Sequence, residues 1–116
     1  MTDNTEISSQ SLDSNTAEVV VQATREIEKL RLHIDEIDDE IVRLLAQRFT
    51  TTEKVGRLKA AAGFAPLDAA REERQLARMS ALAVECGLDP SIAHAYRDFV
   101  VTASKKRHAA IAADNL

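Results

Sequence analysis

The stretch IEKLRLHIDEIDDEIVRLLAQRF, residues 27–49, decides the fold. Apolar side chains fall at Ile27, Leu30, Ile34, Ile37, Ile41 and Leu44, and resume at Val55 and Leu58. Steps of three and four put these residues on one side of an α-helix, as a heptad-like seam. Neither proline nor a turn cluster interrupts the chain from about Ala17 to Ala62, so the spacing predicts one long helix. From Glu26 to Ala62 such a helix would be about 55 Å long at ~1.5 Å per residue. A compact domain of this size has a radius of gyration of only about 13 Å. Its own chain therefore cannot pack that helix along its length. Two chains laying their long helices together would bury the seam, which makes a homodimer the expected assembly.

On the C-terminal side, Gly63-Phe64-Ala65-Pro66-Leu67 breaks the pattern. Asp68 is a candidate N-cap for a second helix to about Glu85, with Gly87 as its stop. Asp89-Pro90 supplies a cap and first-turn pair for a third helix, from Pro90 to about Ala113. No strand pattern or internal repeat is visible. The predicted class is all-α, with three helices per chain: one long, one short, one medium. Residues 1–15 are rich in Ser, Thr, Asn and Asp without periodicity. They read as a disordered tail ahead of a helical domain at 16–116.

Composition points the same way. The chain has 116 residues, 45% of them apolar, but nineteen are alanine and only Phe49, Phe64, Tyr96 and Phe99 are aromatic. Alanine favours helix yet buries little area, so a lone chain would have a thin core. No apolar run approaches the roughly 18 residues of a membrane span. The N-terminal MTDNTEISSQ lacks a basic segment followed by an apolar one, so no secretory signal is expected and the chain reads as soluble and cytoplasmic. A single cysteine, Cys86, excludes an internal disulfide and a cysteine-built metal site. The net charge is −4, which argues against general nucleic-acid binding. It is unevenly spread: residues 1–47 hold eleven acids and four bases, and residues 48–116 hold eleven bases and eight acids. The basic excess past residue 47 could serve a small anion or simply be solvated.

Arg48 breaks the seam, because steps from Ile41 and Leu44 land on it where an apolar residue belongs. A charge there is expensive to desolvate unless it is paired or faces a cavity. Lys59 follows eleven residues later, within ~20° of the same face and roughly 16 Å along the helix. The two cations can converge on an anion between them, or both can snorkel to solvent. Arg31, seventeen residues before Arg48, lies about 25 Å away and roughly 100° around the helix. It could reach Arg48 of a partner in an antiparallel or crossed dimer, or pair locally with Asp35. The second helix opens Asp68-Ala69-Ala70-Arg71-Glu72 and the third carries Ser104 and His108 one turn apart. A histidine near a basic C-terminus can simply complement the helix dipole. With no glycine-rich phosphate loop, metal-ligand cluster or nucleophile–base pair, any chemistry must work through cations and hydrogen bonds.

Together, Arg31, Arg48, Lys59, Asp68, Arg71, Glu72 and Ser104 stand at the spacing of the site residues of the small all-helical chorismate mutases. LRLHIDEIDDEIVRLLAQR, EKVGRLKA and LDAAREERQL also resemble that family, and the resemblance covers about residues 27–112. It implies an intertwined dimer of three-helix chains in which each of two sites borrows Arg31 from the partner. The implied reaction is the pericyclic rearrangement of chorismate to prephenate, toward phenylalanine and tyrosine. That reaction needs no cofactor and no metal. Negative charge develops on the ether oxygen as the C–O bond breaks ahead of C–C bond formation, while the enolpyruvyl chain is held over the ring. By this resemblance Arg31 and Arg48 grip carboxylates, and Lys59 contacts the ether oxygen. Asp68 and Glu72 address the ring hydroxyl or orient the cations, and Arg71 and Ser104 complete the lining. His108 stands where the family usually has glutamine as a second donor to the ether oxygen. Isochorismate–pyruvate lyase shares the fold and the cationic cluster, although Asp68-x-x-Arg71-Glu72 looks more like the mutases. A non-catalytic helical dimer serving as a regulatory or docking subunit would leave Arg48 without a purpose.

Overall fold

The computed structural model describes residues 3–66 and 68–114, with side chains from Asp13 onward. Its three helices are α1 (Asp3–Ala62), α2 (Ala69–Cys86) and α3 (Pro90–Asp114). Among the described residues there is no strand, and no helix is long and apolar enough to cross a membrane. Helix α1 begins at Asp3 rather than near Ala17, and so takes in part of the polar N-terminal segment. The chain divides into two compact units, one up to Leu44 and one from Leu45.

The first unit is helical and exposed throughout its described side chains. Its surface carries local pairs one turn apart, Lys29 with Glu26 at 3.4 Å, His33 with Glu36 at 3.7 Å, and Arg43 with Glu40. Exposed pairs of this kind contribute little to stability. The seam is uncovered: Leu30 is 59% exposed and Leu44 58%. The expected local pair of Arg31 with Asp35 is not formed, and among the described residues Arg31 has no hydrogen bond or ion pair.

The second unit comprises the last turns of α1 together with α2 and α3. Gly63 ends α1 in the left-handed region at φ 71°, where an L side chain would be strained. The Phe64 N–H then closes on the Lys59 carbonyl at 2.9 Å. Asp68 caps α2, its Oδ1 accepting from the Arg71 N–H at 3.0 Å. Gly87 stops the helix at φ 73°, and the Leu88 N–H reaches the Ala83 carbonyl at 2.8 Å. Asp89 caps α3 by accepting from the Ser91 N–H at 2.9 Å, and that bond holds its carboxyl below the ordinary range. Such caps supply partners for backbone groups that a helix end leaves open.

Helices α2 and α3 pack together, and the core between them is small: among the described residues, Ala83, Ala93 and Val100 are the buried apolar ones. Polar links join the same two helices, among them Ser80 Oγ with His94 Nε2 at 2.8 Å, and Arg97 Nη2 donating to the Glu72 carbonyl at 2.9 Å. Leu58, Leu82, Val84 and Phe99 stay more than half exposed. Alanine-rich helices approach closely but bury little area, so this chain alone leaves much apolar surface in water.

Candidate active site

The site is assembled from three short helical runs. Arg48, Thr52, Val55 and Lys59 recur on α1 by fours and threes, which lines them along one face. The first turns of α2 add Asp68, Arg71, Glu72 and Gln75, and α3 adds Val101, Ser104, Lys105 and His108. With Pro66, these residues enclose a pocket of about 240 Å³. Of the residues expected from the sequence, Arg48, Lys59, Asp68, Arg71, Glu72, Ser104 and His108 all line it. Arg31 does not; it belongs to the first unit.

The electrostatics favour an anion. Arg48, Lys59, Arg71 and Lys105 face the pocket against the acids Asp68 and Glu72. The acids are partly engaged, Asp68 as the α2 cap and Glu72 with the Lys105 ammonium at 3.6 Å. Lys59 Nζ donates to the Pro66 carbonyl at 3.4 Å, which leaves other N–H groups for a ligand. Arg48 does not snorkel away. It is half-buried, and its Nη1 is buried with no hydrogen-bond partner. Ser104 Oγ is likewise buried and unpartnered. An unmet buried donor costs about 1–3 kcal/mol, so ligand oxygens at this pocket have strong partners waiting.

His108 is not a solvated surface residue near the helix end. Its ring is half-buried, and Nε2 lies 2.9 Å from the Thr52 carbonyl oxygen. Next to it, Arg107 Nε binds Glu53 Oε1 at 2.6 Å and ties α3 to α1. That bond holds the Glu53 carboxyl below its usual range. The stabilisation is present above the ordinary carboxylate pKa and is lost as pH falls through the lowered one.

Sequence reasoning missed Thr52, Gln75 and Lys105 as lining residues. The first two were within reach, since each lies four residues beyond a selected arginine, on the same helix face. Gly56 was missed for another reason. A glycine inside a helix only weakens it, and its value shows only when α3 is in place. A Cβ at Gly56 would lie 2.7 Å from His108 Cδ2.

Residues 30–109 match the family described as chorismate mutase type II. A search of curated proteins returned no match.

Proposed function

This chain belongs to the chorismate mutase type II family, and from that membership we propose that it converts chorismate to prephenate as a cytoplasmic enzyme of phenylalanine and tyrosine biosynthesis. One observation carries the reading. A single cationic pocket collects Arg48, Lys59, Asp68, Arg71, Glu72, Ser104 and His108, and holds Arg48 Nη1 and Ser104 Oγ buried without protein partners.

The substrate carries two carboxylates and an ether oxygen that becomes negative as its C–O bond breaks. Arg48 pairs with one carboxylate, for which a planar guanidinium suits better than an ammonium. Lys59 and His108 serve the ether oxygen, and Arg71 and Ser104 add donors. Asp68 and Glu72 orient the cations or meet the ring hydroxyl. Catalysis then consists of holding the reactive fold of the substrate and stabilising the developing charge. The helical domain at 16–116 suffices for this work, and residues 1–15 are an appendage to it.

Arg31 enters from the second chain of an intertwined homodimer. Its lack of local partners, together with the exposed Ile27–Leu44 seam, supports that assembly. The protein should sediment as a dimer at micromolar concentration. A well-folded, active monomer under those conditions would defeat the shared-site model. The reaction itself is tested by supplying chorismate and isochorismate separately and identifying products. Prephenate from chorismate is expected. Pyruvate release from isochorismate, with chorismate left intact, would assign the lyase reaction instead.

A further inference from the structure

We propose that Gly56 is a positioning residue that seats the His108 ring on the Thr52 carbonyl, so that His108 can donate to a bound oxyanion only as an imidazolium, through Nδ1. The identity of the oxyanion rests on the chorismate mutase reading; the seat itself does not.

A carbonyl oxygen only accepts hydrogen bonds. At 2.9 Å from the Thr52 oxygen, His108 Nε2 must therefore carry the proton. In the neutral ring that choice leaves Nδ1 as a bare lone pair, which repels an anionic oxygen. Among the described residues Nδ1 has no protein partner, so it is the nitrogen left for a ligand. A glutamine amide keeps an N–H donor at any ordinary pH. An imidazole held in this tautomer gains its second N–H only on protonation.

Gly56 makes the arrangement possible. A Cβ there would meet His108 Cδ2 at 2.7 Å, Nε2 at 2.9 Å and Cγ at 3.2 Å. Real side chains do not approach so closely, and the contact falls on the ring itself. With any larger residue something must shift, and what its Cβ meets is the ring that bonds the Thr52 carbonyl. The charges around the ring come from every neighbouring element. The cations are Arg48 and Lys59 of α1, Arg71 of α2, and Lys105 and Arg107 of α3. The acids are Glu53 of α1, Asp68 at the start of α2 and Glu72 of α2.

Four variants and the wild type decide the matter. With saturating chorismate, wild-type kcat should fall roughly tenfold per pH unit once the imidazolium begins to lose its proton. His108→Gln should stay active and flat across that range, whereas His108→Ala should be slow throughout. Gly56→Ala should lower kcat by about ten- to a hundredfold, with a smaller change in KM, because misplacing a donor by an ångström costs that much. Placed in the His108→Ala background, Gly56→Ala should change nothing further. Histidine ¹⁵N NMR of the free wild-type protein should show the neutral ring protonated at Nε2, and Gly56→Ala should weaken that preference.

A flat pH profile in an active wild type would overturn the proposal. So would an equal loss from Gly56→Ala with and without the imidazole, which would place the effect in the helix. If no variant turns over chorismate, the mutase reading falls and takes the ligand half of the proposal with it. The NMR measurement would then still show whether the seat exists.

Discussion

Arg48→Ala should lower kcat/KM for chorismate by a factor on the order of 10² or more, the cost of losing one preorganised oxyanion donor. The guanidinium lines the pocket, is half-buried, and leaves Nη1 without a partner. Those properties make it expensive in the empty protein and valuable to a bound carboxylate. The fold should survive the change. No ion pair is broken, and alanine is the better helix former in the middle of α1. Circular dichroism and thermal unfolding should therefore show a folded protein while the rate collapses. Arg48→Lys should recover only part of the activity, because an ammonium cannot grip a carboxylate in a bidentate fork. Near wild-type activity in Arg48→Ala would remove the residue from the substrate.

Arg31→Ala should be comparably inactive, although Arg31 lines no part of the pocket in its own chain. Mixing the two inactive proteins and allowing subunits to exchange should restore about one quarter of wild-type activity. The arithmetic follows from a two-fold dimer. Half of the randomly assorted dimers contain one chain of each kind. In each of these, one site holds both arginines and the other holds neither. Mass-labelled chains would show that exchange has occurred. Exchanged dimers that remain inactive would place Arg31 outside the partner's site.

The local rules were enough for much of this chain. Asp68, Gly87 and Asp89-Pro90 mark helix ends through side chains and φ preferences that act within a few residues. The observed bounds of α2 and α3 accordingly fall within a residue or so of those expected. The N-terminal start was less legible. A helix of polar residues lacks the apolar period that reveals one, so the reading began near Ala17 and α1 begins at Asp3. Within the site, the spacing of Arg48 and Lys59 showed that two cations share a helix face, but not whether a pocket or solvent lay before them.

By itself, the sequence determined the three helices, every end but the start of α1, and the faces that carry charge, because each depends on neighbours three or four positions away. It also determined that the apolar seam exceeds what one small chain can cover. Tertiary structure decided which of those faces meet. Only in the packed chain is Arg48 Nη1 buried without a partner, and only there is Ser104 Oγ buried and unmet. The role of Gly56 is of the same kind. Nothing within four residues of it asks for a missing side chain; the His108 ring does, from fifty-two positions away, by filling the space a Cβ would need. Contacts between residues far apart in the chain leave no period in the sequence, and so the tautomer of His108 was set by a backbone carbonyl that no motif could have pointed to.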